Sequence, residues 1–231
     1  MDKLLKSFVD EMTSPQINKV EDDNLLNILC GASSAGNNFL KILCELNKGI
    51  VGLSNYFFAR KACKFLSDIS DLNAEKRYKF VGEIAARGKD NAGFIFMSLL
   101  ERLDNINKVE ILSNLFRACV LEYINVDNLF RATAILERIP YIDLNKLHNY
   151  QNPYYDIDST AILFASGAIT LRTIAEKDSE DDQYVLTNAG YILVKYGLQI
   201  EILKPSISKI DIKGMLTAEV VDDKLSFEKL D

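Results

Sequence analysis

The sequence predicts a mainly helical protein: a bundle of six or seven helices, followed by a small α+β module of winged-helix type. Apolar residues recur at steps of three and four positions over most of residues 1–148, the period of a helix that buries one face. The chain holds only four prolines and eleven glycines in 231 residues, so long stretches can stay helical. Alternating stretches, typical of strands, occur only after residue 149. We therefore predict a helical domain, 1–148, and an α+β domain, 149–231.

Turn residues bound each helix of the first domain. Ser14-Pro15 ends the first helix, because the residue before a proline avoids the helical conformation. Asn73 is the expected N-cap of a later helix. The apolar side of that helix is predicted to hold Tyr78, Val81, Ile84 and Ala85. The predicted helices cover 1–12, a segment from 25 to 46 that contains a glycine cluster, 53–69, 74–87, 94–103, 108–122 and 129–139, with a helical turn at 143–148.

Two groups of large residues on these apolar stripes are predicted to form the core. The group in the bundle is Phe65, Leu99, Leu112, Phe116 and Leu136. The group in the first apolar segment is Leu25, Leu26, Leu29, Phe39 and Leu43. Gly31 and Gly36 are expected to let a neighbouring backbone approach that segment closely.

The second domain starts with a turn-rich aromatic linker and continues as a helix and a β-hairpin. The helix is expected at 159–166, with Asp158 or Ser159 as its N-cap. Two alternating stretches, 168–175 and 184–186, are the expected strands of the hairpin.

A second helix closes this domain. Thr187-Asn188 are expected to cap it, its predicted extent is 189–196, and Gly197 is its expected C-cap. Helix, hairpin and helix follow each other in this order in a winged-helix module. Residues 198–231 hold short β-like stretches whose place in the fold the pattern does not define.

Composition limits the partners and the compartment. A net charge of −6 and a pI near 5 argue against bulk electrostatic attraction to nucleic acid or anionic lipid. Cys30, Cys44, Cys63 and Cys119 are widely spaced and form no Cys-x-x-Cys pair, which is typical of reduced, buried thiols. The N-terminus carries charges of both signs, and no secretory signal follows it. We therefore expect a cytoplasmic protein.

Residues 24–59 are compatible with two structures. Two runs without charge, 24–40 and 49–59, could form a helix pair packed through small residues, or a segment that meets a membrane conditionally. A transmembrane helix needs about 20 mostly apolar residues, and the first run is shorter. Asn27 and Asn37 would be costly in hydrocarbon without partners. The sequence therefore favours burial of this segment in the bundle.

No catalytic, cofactor-binding or metal site is predicted. Gly31 and Gly36 are spaced like the glycines of a phosphate loop, but the next residues are Asn37-Asn38, where that loop requires Lys and Ser or Thr. His148 is the single histidine, which excludes a site with several histidine ligands within one chain. We therefore expect a protein that is not an enzyme and that needs no cofactor.

Carboxylates are plentiful, but their spacing is that of ordinary surfaces. Glu101 and Asp104 lie three residues apart on a predicted helix, and Arg102 and Lys108 are available as ion-pair partners. Residues 178–182 form an acidic run that lacks the spacing of an EF-hand calcium loop. Such a run of like charges is typical of a solvated hairpin tip.

Arg60, Lys61 and Lys64, with Lys48 upstream, form the one local basic patch of the sequence. The patch follows the apolar segment, where cations suit the end of a helix and also the head groups of phospholipids. It is the candidate site for contact with a partner or a membrane. The alternative interpretation is a solvated helix face.

A set of short segments carries a resemblance to known proteins. The segments are Phe57-Phe58-Ala59-Arg60-Lys61, Asp68-Ile69-Ser70-Asp71-Leu72, Leu99-Leu100-Glu101-Arg102-Leu103-Asp104, residues 108–116 and Tyr184-Val185-Leu186-Thr187-Asn188-Ala189-Gly190. Through them, residues 25–197 resemble a loosely defined set of uncharacterised bacterial and prophage proteins. Some members of that set lie among abortive-infection or phage-conflict genes.

The resemblance implies a genomic neighbourhood and no activity, and it supplies no catalytic residues. With no catalytic motif in the sequence, we expect a non-enzymatic interaction protein of the phage–bacterium conflict type. Such a protein would act through helical surfaces on a protein partner, as a monomer or a homo-oligomer, or conditionally on a membrane. The closing element, 184–190, also resembles that of winged-helix transcription regulators, which are the alternative function. Those regulators carry basic residues on the helix before the wing and on the wing itself. Here that helix, 156–165, and the tip, 178–182, are acidic, so we expect no binding to DNA.

Overall fold

The computed structural model describes residues 2–20, 25, 38–46, 53–87, 92–171 and 183–200. Within these ranges the chain is mainly helical, and a small antiparallel sheet of two strands lies near the end of the last range. The predicted fold class, mainly helical with a small α+β module, is therefore confirmed, whereas the winged-helix type of that module stays a prediction. The following predictions concern residues outside these ranges: Leu26, Leu29, Gly31, Gly36, 178–182 and the tail beyond residue 200.

The order of the elements follows the prediction. The range predicted as the first domain contains α1 (Asp2–Thr13), α2 (Asn38–Leu46), α3 (Leu53–Asp68), α4 (Ala74–Arg87), α5 (Ala92–Arg102), α6 (Asn107–Val120), α7 (Val126–Arg138) and α8 (Tyr141–Leu144). A 3₁₀ segment, Asn145–Gln151, extends α8 across the predicted boundary at residue 148. The range predicted as the second domain contains α9 (Ile157–Ser166), β1 (Ile169–Leu171), β2 (Tyr184–Leu186) and α10 (Asn188–Ile192), which continues as a π-helix, Leu193–Gly197.

The start of α7 differs from its predicted bound because of a cap. The side chain of Asn125 accepts a hydrogen bond from the backbone N–H of Asn128 at 2.8 Å. This bond satisfies one of the donors that the first turn of a helix leaves without an intrahelical partner. The helix therefore begins at Val126 and not at residue 129.

Two predicted caps of the second domain are wrong. Asp156, and not Asp158 or Ser159, caps α9, since its side chain accepts a hydrogen bond from the backbone N–H of Asp158 at 3.3 Å. Gly197 is not a left-handed C-cap, because it lies inside the last turn of the π-helix. Glycine is needed there for space: a Cβ atom at Gly197 would lie 2.9 Å from Cγ2 of Ile111.

The central helix of the bundle is α6. It packs against α3 and α7, and the π-helix covers a further side. Because α6 is covered on several sides, its buried residues include Ser113 as well as Leu112 and Phe116. Helix α1 packs against α2, α4 and α5 and completes the first domain.

Phenylalanine rings from several helices meet in one cluster. The ring of Phe116 lies between 4.9 and 5.3 Å from the rings of Phe65, Phe80 and Phe96, in edge-to-face arrangements. Phe8 of α1 joins the cluster at 6.4 Å from Phe65. Aromatic pairs of this geometry add about 0.5–1.5 kcal/mol each beyond the area that they bury. The cluster therefore links α1, α3, α4, α5 and α6.

The predicted core is confirmed wherever the structure describes it. These predicted residues are buried: Leu25, Phe39, Leu43, Phe65, Leu99, Leu112, Phe116 and Leu136. The predicted apolar side of α4 is wrong in part, since Val81 and Ile84 are buried but Tyr78 and Ala85 are exposed. Arg77 is buried instead, which rotates the inward face of α4.

The fully buried Arg77 joins three segments of the chain. Its Nη1 donates to the carbonyl oxygen of Met12 at 2.5 Å, its Nη2 to that of Ser14 at 2.9 Å, and its Nε to that of Leu72 at 3.1 Å. Burial lowers the pKa of Arg77, and the charge of Asp71 opposes this shift. The guanidinium group thereby satisfies acceptors at the end of α1 and in the turn before α4.

The small sheet has a third, single-residue partner. Strands β1 and β2 are antiparallel, with Ile169 opposite Leu186 and Leu171 opposite Tyr184. On the other side of β2, Tyr154 and Tyr184 exchange two backbone hydrogen bonds at 3.0 and 3.1 Å. The order across this sheet is therefore Tyr154, β2, β1.

The described residues after 149 share the hydrophobic core of the residues before it. Helix α10 packs against α7, and the π-helix packs against α6. Leu193 and Val194 belong to the same cluster of buried residues as Leu115. The Nδ2 of Asn114 donates to the carbonyl oxygen of Gly197 at 3.0 Å. The core is thus continuous across residue 149.

Gly190 allows α10 to pass close to the strand. A Cβ atom at this position would lie 2.0 Å from the carbonyl oxygen of Ala168. Gly190→Ala must therefore displace α10, and we expect it to lower the free energy of unfolding by about 1–3 kcal/mol in urea denaturation. The control is Gly82→Ala on α4, where a Cβ atom would meet nothing within 4 Å. Equal losses for both variants would contradict the predicted clash.

Candidate interaction surface

The predicted basic patch lies on α3, where Lys61 has a structural role. Its Nζ donates to the carbonyl oxygens of Glu101 at 3.0 Å and Leu103 at 2.9 Å. These carbonyls lie at the C-terminal end of α5, where a cation is favourable. Burial lowers the pKa of Lys61, and the charges of Glu101 and Asp104 oppose this shift. Lys61 therefore joins α3 to the end of α5.

Lys64 is paired with carboxylates. Its Nζ lies 3.2 Å from Asp68 on the same helix and 3.8 Å from Glu110 on α6. Arg60 lies on the same helix and is half-buried. The structure therefore engages Lys61 with backbone carbonyls at the end of α5 and Lys64 with acids of α3 and α6. Contact of the patch with a partner or a membrane stays a prediction.

The single histidine, His148, lies at the surface. Nδ1 of His148 and the carbonyl oxygen of Asn145 form a local hydrogen bond within the 3₁₀ segment. Asp104 pairs with the buried Lys108, with 2.6 Å between Oδ1 and Nζ. In the ranges that the structure describes, no group of three or more His, Cys, Asp or Glu residues could hold a metal ion.

Two of the four cysteines, Cys63 and Cys119, lie in the described part of the chain, and both are buried as predicted. Burial raises the pKa of Cys119 to about 12; Glu83 adds to the shift and Arg87 opposes it. Because this pKa is raised on folding, the thiol's contribution to stability is complete below about pH 9 and is lost as the pH rises towards 12.

We expect Cys119 to resist alkylation by iodoacetamide in the folded protein. At pH 8 its thiolate fraction should be roughly a thousandfold below that of an ordinary cysteine. Peptide mapping of each cysteine after alkylation, with and without concentrated urea, measures the effect. Equal modification of Cys119 under both conditions would contradict the burial of this thiol.

Helix α9 has an inverted distribution of side chains. Its inward side carries hydroxyl groups, since Ser159, Thr160 and Ser166 are buried beside Leu163. Its outward side is apolar except for Asp158. The exposed apolar residues of the helix are Ile157, Ala161, Ile162, Phe164 and Ala165. Ile157 is 78% exposed and Phe164 is 51% exposed.

Hydrogen bonds explain why the polar side faces inward. The hydroxyl oxygen of the buried Tyr150 lies 2.6 Å from Oγ1 of Thr160, in a hydrogen bond. Oγ of Ser159 donates to Oδ2 of Asp156 at 2.6 Å, and Oγ1 of Thr160 accepts from the backbone N–H of Asp156 at 3.0 Å. Oγ of Ser166 donates to the carbonyl oxygen of Leu163, in the same helix, at 2.7 Å. Each buried hydroxyl is therefore satisfied, which removes the cost of its burial.

Aromatic residues beside α9 extend its apolar outer side. The rings of Phe164 and Tyr184 lie 5.6 Å apart, and the ring of Tyr155 stacks on Tyr184 at 6.2 Å. Tyr155 is 54% exposed. Leu171, also exposed, lies opposite Tyr184 in the sheet. We call the apolar outer side of α9, with Tyr155 and Tyr184, the α9 surface.

One end of the α9 surface is acidic. Asp156 and the exposed Asp158 lie at the N-terminus of α9. The hydrogen bond from Ser159 lowers the pKa of Asp156, with the backbone of Asp158 also contributing, so this carboxylate stays ionised. Lys146 lies near both acids, but its Nζ is paired with Asp143 at 3.0 Å. The acids at this end therefore keep a net negative charge.

The sequence pattern did not predict the α9 surface. The pattern indicated the acidic reader helix of a winged helix at this position and a contact site at Arg60, Lys61 and Lys64. A usable signal was present: the hydroxyl residues 159, 160 and 166 fall on one side of a helical wheel, opposite Ile157 and Ala161. Recognising it required partners for those hydroxyls; those of Ser159 and Ser166 are local, but that of Thr160, the hydroxyl of Tyr150, comes from another segment.

The described part of the apolar segment lies within the bundle. Phe39, Leu40 and Leu43 of α2 and Ala59 of α3 are buried. Among the described helices, none combines the length and the apolar character that crossing a bilayer requires.

The chain has no match among family models, curated proteins or solved structures.

Proposed function

We propose that this chain is a non-enzymatic interaction protein that binds a protein partner through the α9 surface. The observation that carries the proposal is the inversion of α9, which turns isoleucine and phenylalanine towards solvent and hydroxyl groups towards the core. Contiguous exposed apolar surface of this kind is characteristic of interaction sites. A helical surface as the site of action also agrees with the function that the resemblance implies.

The free energy available from burying the α9 surface against a partner supports the proposal. Burial of a large apolar side chain contributes about 1.5–3 kcal/mol, so Ile157 and Phe164 together offer a substantial part of a binding free energy. Aromatic residues at the centre of an interface frequently dominate its affinity. Tyr155 and Tyr184 supply such residues next to Phe164.

Photo-crosslinking from within the surface tests the proposal. We would replace Phe164 with p-benzoylphenylalanine in the full chain and, as a matched control, Phe57 on α3, which is 53% exposed. We expect a specific protein adduct in lysate of the source cells from position 164, competed by unlabelled wild-type protein. Adducts from position 57 alone would favour contact near Arg60, Lys61 and Lys64. Adducts from neither position would contradict the proposal.

The biological setting that we propose is phage–bacterium conflict, on the resemblance of residues 25–197. Expression in a bacterial host challenged with a panel of phages tests it. We expect the wild-type chain to change plating efficiency or host growth, and Phe164→Asp to abolish that change while Phe57→Asp retains it. An effect that survives Phe164→Asp would separate the setting from the α9 surface.

The alternative function is that of a winged-helix transcription regulator. It is favoured by the order Tyr154, β2, β1 with α9 immediately before the hairpin. The acids Asp156 and Asp158 on that helix argue against contact with phosphates. We expect no shift of duplex DNA in an electrophoretic assay at physiological salt. Sub-micromolar, sequence-dependent binding would favour the regulator.

A further inference from the structure

We infer that the partner of the α9 surface is a cationic amphipathic helix: a segment with an apolar stripe bordered by lysine or arginine. The inference rests on the proposed function and adds the chemistry of the occupant. It follows from the charge at one end of the surface and from the shape and size of α9.

Charge complementarity is the first step. Asp156 and Asp158 border the apolar residues at the N-terminal end of α9, and Asp143 lies in the same network. Lys146 is the cation among these groups, and it is already paired with Asp143. A partner that covers Ile157 must bring its own charges close to the two remaining acids. Cations there gain attraction, whereas anions meet repulsion in a partly desolvated contact.

The shape of the surface favours a helix as the partner. The ten residues of α9 extend over about 15 Å, and their outward side chains form a ridge beside the aromatic rings of Tyr155 and Tyr184. An amphipathic helix covers such a surface with residues at positions i, i+3, i+4 and i+7. Its flanking cations then lie within reach of the acids at the end of α9.

Two other partners, a second copy of the chain and an anionic membrane, fit the acidic end of the α9 surface less well. A second copy, paired through a two-fold axis across α9, would place its Asp158 near the C-terminal end of the first copy's α9, where the helix dipole is also negative. Each chain also carries a net charge of −6. An anionic membrane would repel Asp156 and Asp158 in the same way.

Fluorescence anisotropy with designed peptides tests the inference on the full chain. The probes are two labelled 18-residue amphipathic helices with the same leucine stripe, one bordered by lysine and the other by glutamate. We expect the lysine peptide to bind about tenfold more tightly, with an affinity that falls as salt is added. Phe164→Asp should weaken binding of the lysine peptide by at least about tenfold, because it places a charge at the centre of the contact.

Charge reversal separates the inference from the proposed function. Asp158→Lys should remove or invert the preference for the lysine peptide, whereas the control Glu75→Lys, an exposed acid in the first turn of α4, should leave it unchanged. If Phe164→Asp weakens binding but Asp158→Lys leaves the preference intact, the inference about charge fails and the apolar docking surface stands. If neither variant changes binding, both fail.

The competing occupants give their own results. A dimer of the wild-type chain in analytical ultracentrifugation that Phe164→Asp converts to a monomer would identify a second copy and overturn the inference. Sedimentation with phosphatidylserine vesicles that is lost in Phe164→Asp would identify a membrane and overturn it as well. Thermal unfolding of each variant establishes that it is folded, and Phe164→Ala replaces Phe164→Asp if the aspartate variant is not.

Discussion

Replacement of Phe116 with alanine is expected to lower the free energy of unfolding by about 3–5 kcal/mol. Phe116 is fully buried on α6, and its ring contacts Phe65, Phe80 and Phe96 from three other helices at 4.9–5.3 Å. Truncation removes these contacts and leaves a cavity. The surrounding rings are held by their own helices, so they can fill that cavity only in part. Urea denaturation followed by circular dichroism measures the loss.

The control for this variant is an aromatic residue outside the cluster. Tyr78 on α4 is 70% exposed, so Tyr78→Ala should change the free energy of unfolding by no more than about 0.5 kcal/mol. A loss for Phe116→Ala that does not exceed the loss for Tyr78→Ala would show that α6 is not the centre of the core.

Periodicity predicted the helices and most of the core because burial in a bundle depends mainly on the apolar stripe. Phe65, Leu99 and Leu136 each lie on such a stripe, and all are buried. The helix ends are less predictable, since a cap depends on which side chain reaches a free N–H group. Asn125 and Asp156 do so, and each moves the start of a helix from its predicted position.

The inward face of α4 could not be predicted from hydropathy. A stripe through Tyr78 and Ala85 is as apolar as the observed one, and an arginine is expected at the surface. Burial of Arg77 becomes favourable only because carbonyl groups of α1 and of the preceding turn come within reach in the folded chain. The carbonyls of Met12 and Ser14 are distant from Arg77 in sequence, and every residue carries a carbonyl group. The sequence around Arg77 therefore does not indicate which acceptors it will reach.

The side chains that remain available to a partner likewise could not be predicted from the local sequence. The sequence placed Lys61 and Lys64 in an open basic patch, but Lys61 binds the backbone carbonyl of Glu101 on another helix, and Lys64 lies near Glu110 of α6 as well as Asp68 of its own helix. Conversely, the α9 surface exists because Tyr150 satisfies a hydroxyl group of α9 from a different segment. In both places a tertiary hydrogen bond or ion pair decides which side chains remain available to a partner.

Replacement of Arg77 with methionine is expected to lower the free energy of unfolding by about 3 kcal/mol or more. A hydrogen bond to a charged group contributes about 1.5–3 kcal/mol, and Arg77 donates three, to Met12, Ser14 and Leu72. Arg77→Lys retains the charge, but one ammonium group cannot reach three carbonyls in the geometry of a guanidinium fork. We therefore expect a loss for the lysine variant as well.

Burying the Arg77 guanidinium carries a desolvation cost, and Arg77→Met removes that cost, which reduces the expected loss of stability. The size of the desolvation cost therefore decides the outcome. Apolar replacement of a buried ionic group can be neutral or stabilising when all of its partners are replaced with it. Here the partners are backbone carbonyls, which no substitution removes, so methionine leaves those of Met12 and Leu72 buried without the guanidinium donors. Faster hydrogen exchange in the last turn of α1 should accompany the loss in urea denaturation.

The control is Arg131→Met, an exposed position on α7 where a change within about 0.5 kcal/mol is expected. If Arg77→Met is as stable as Arg131→Met, desolvation of the guanidinium offsets its three hydrogen bonds, and Arg77 does not stabilise the junction of α1 and α4.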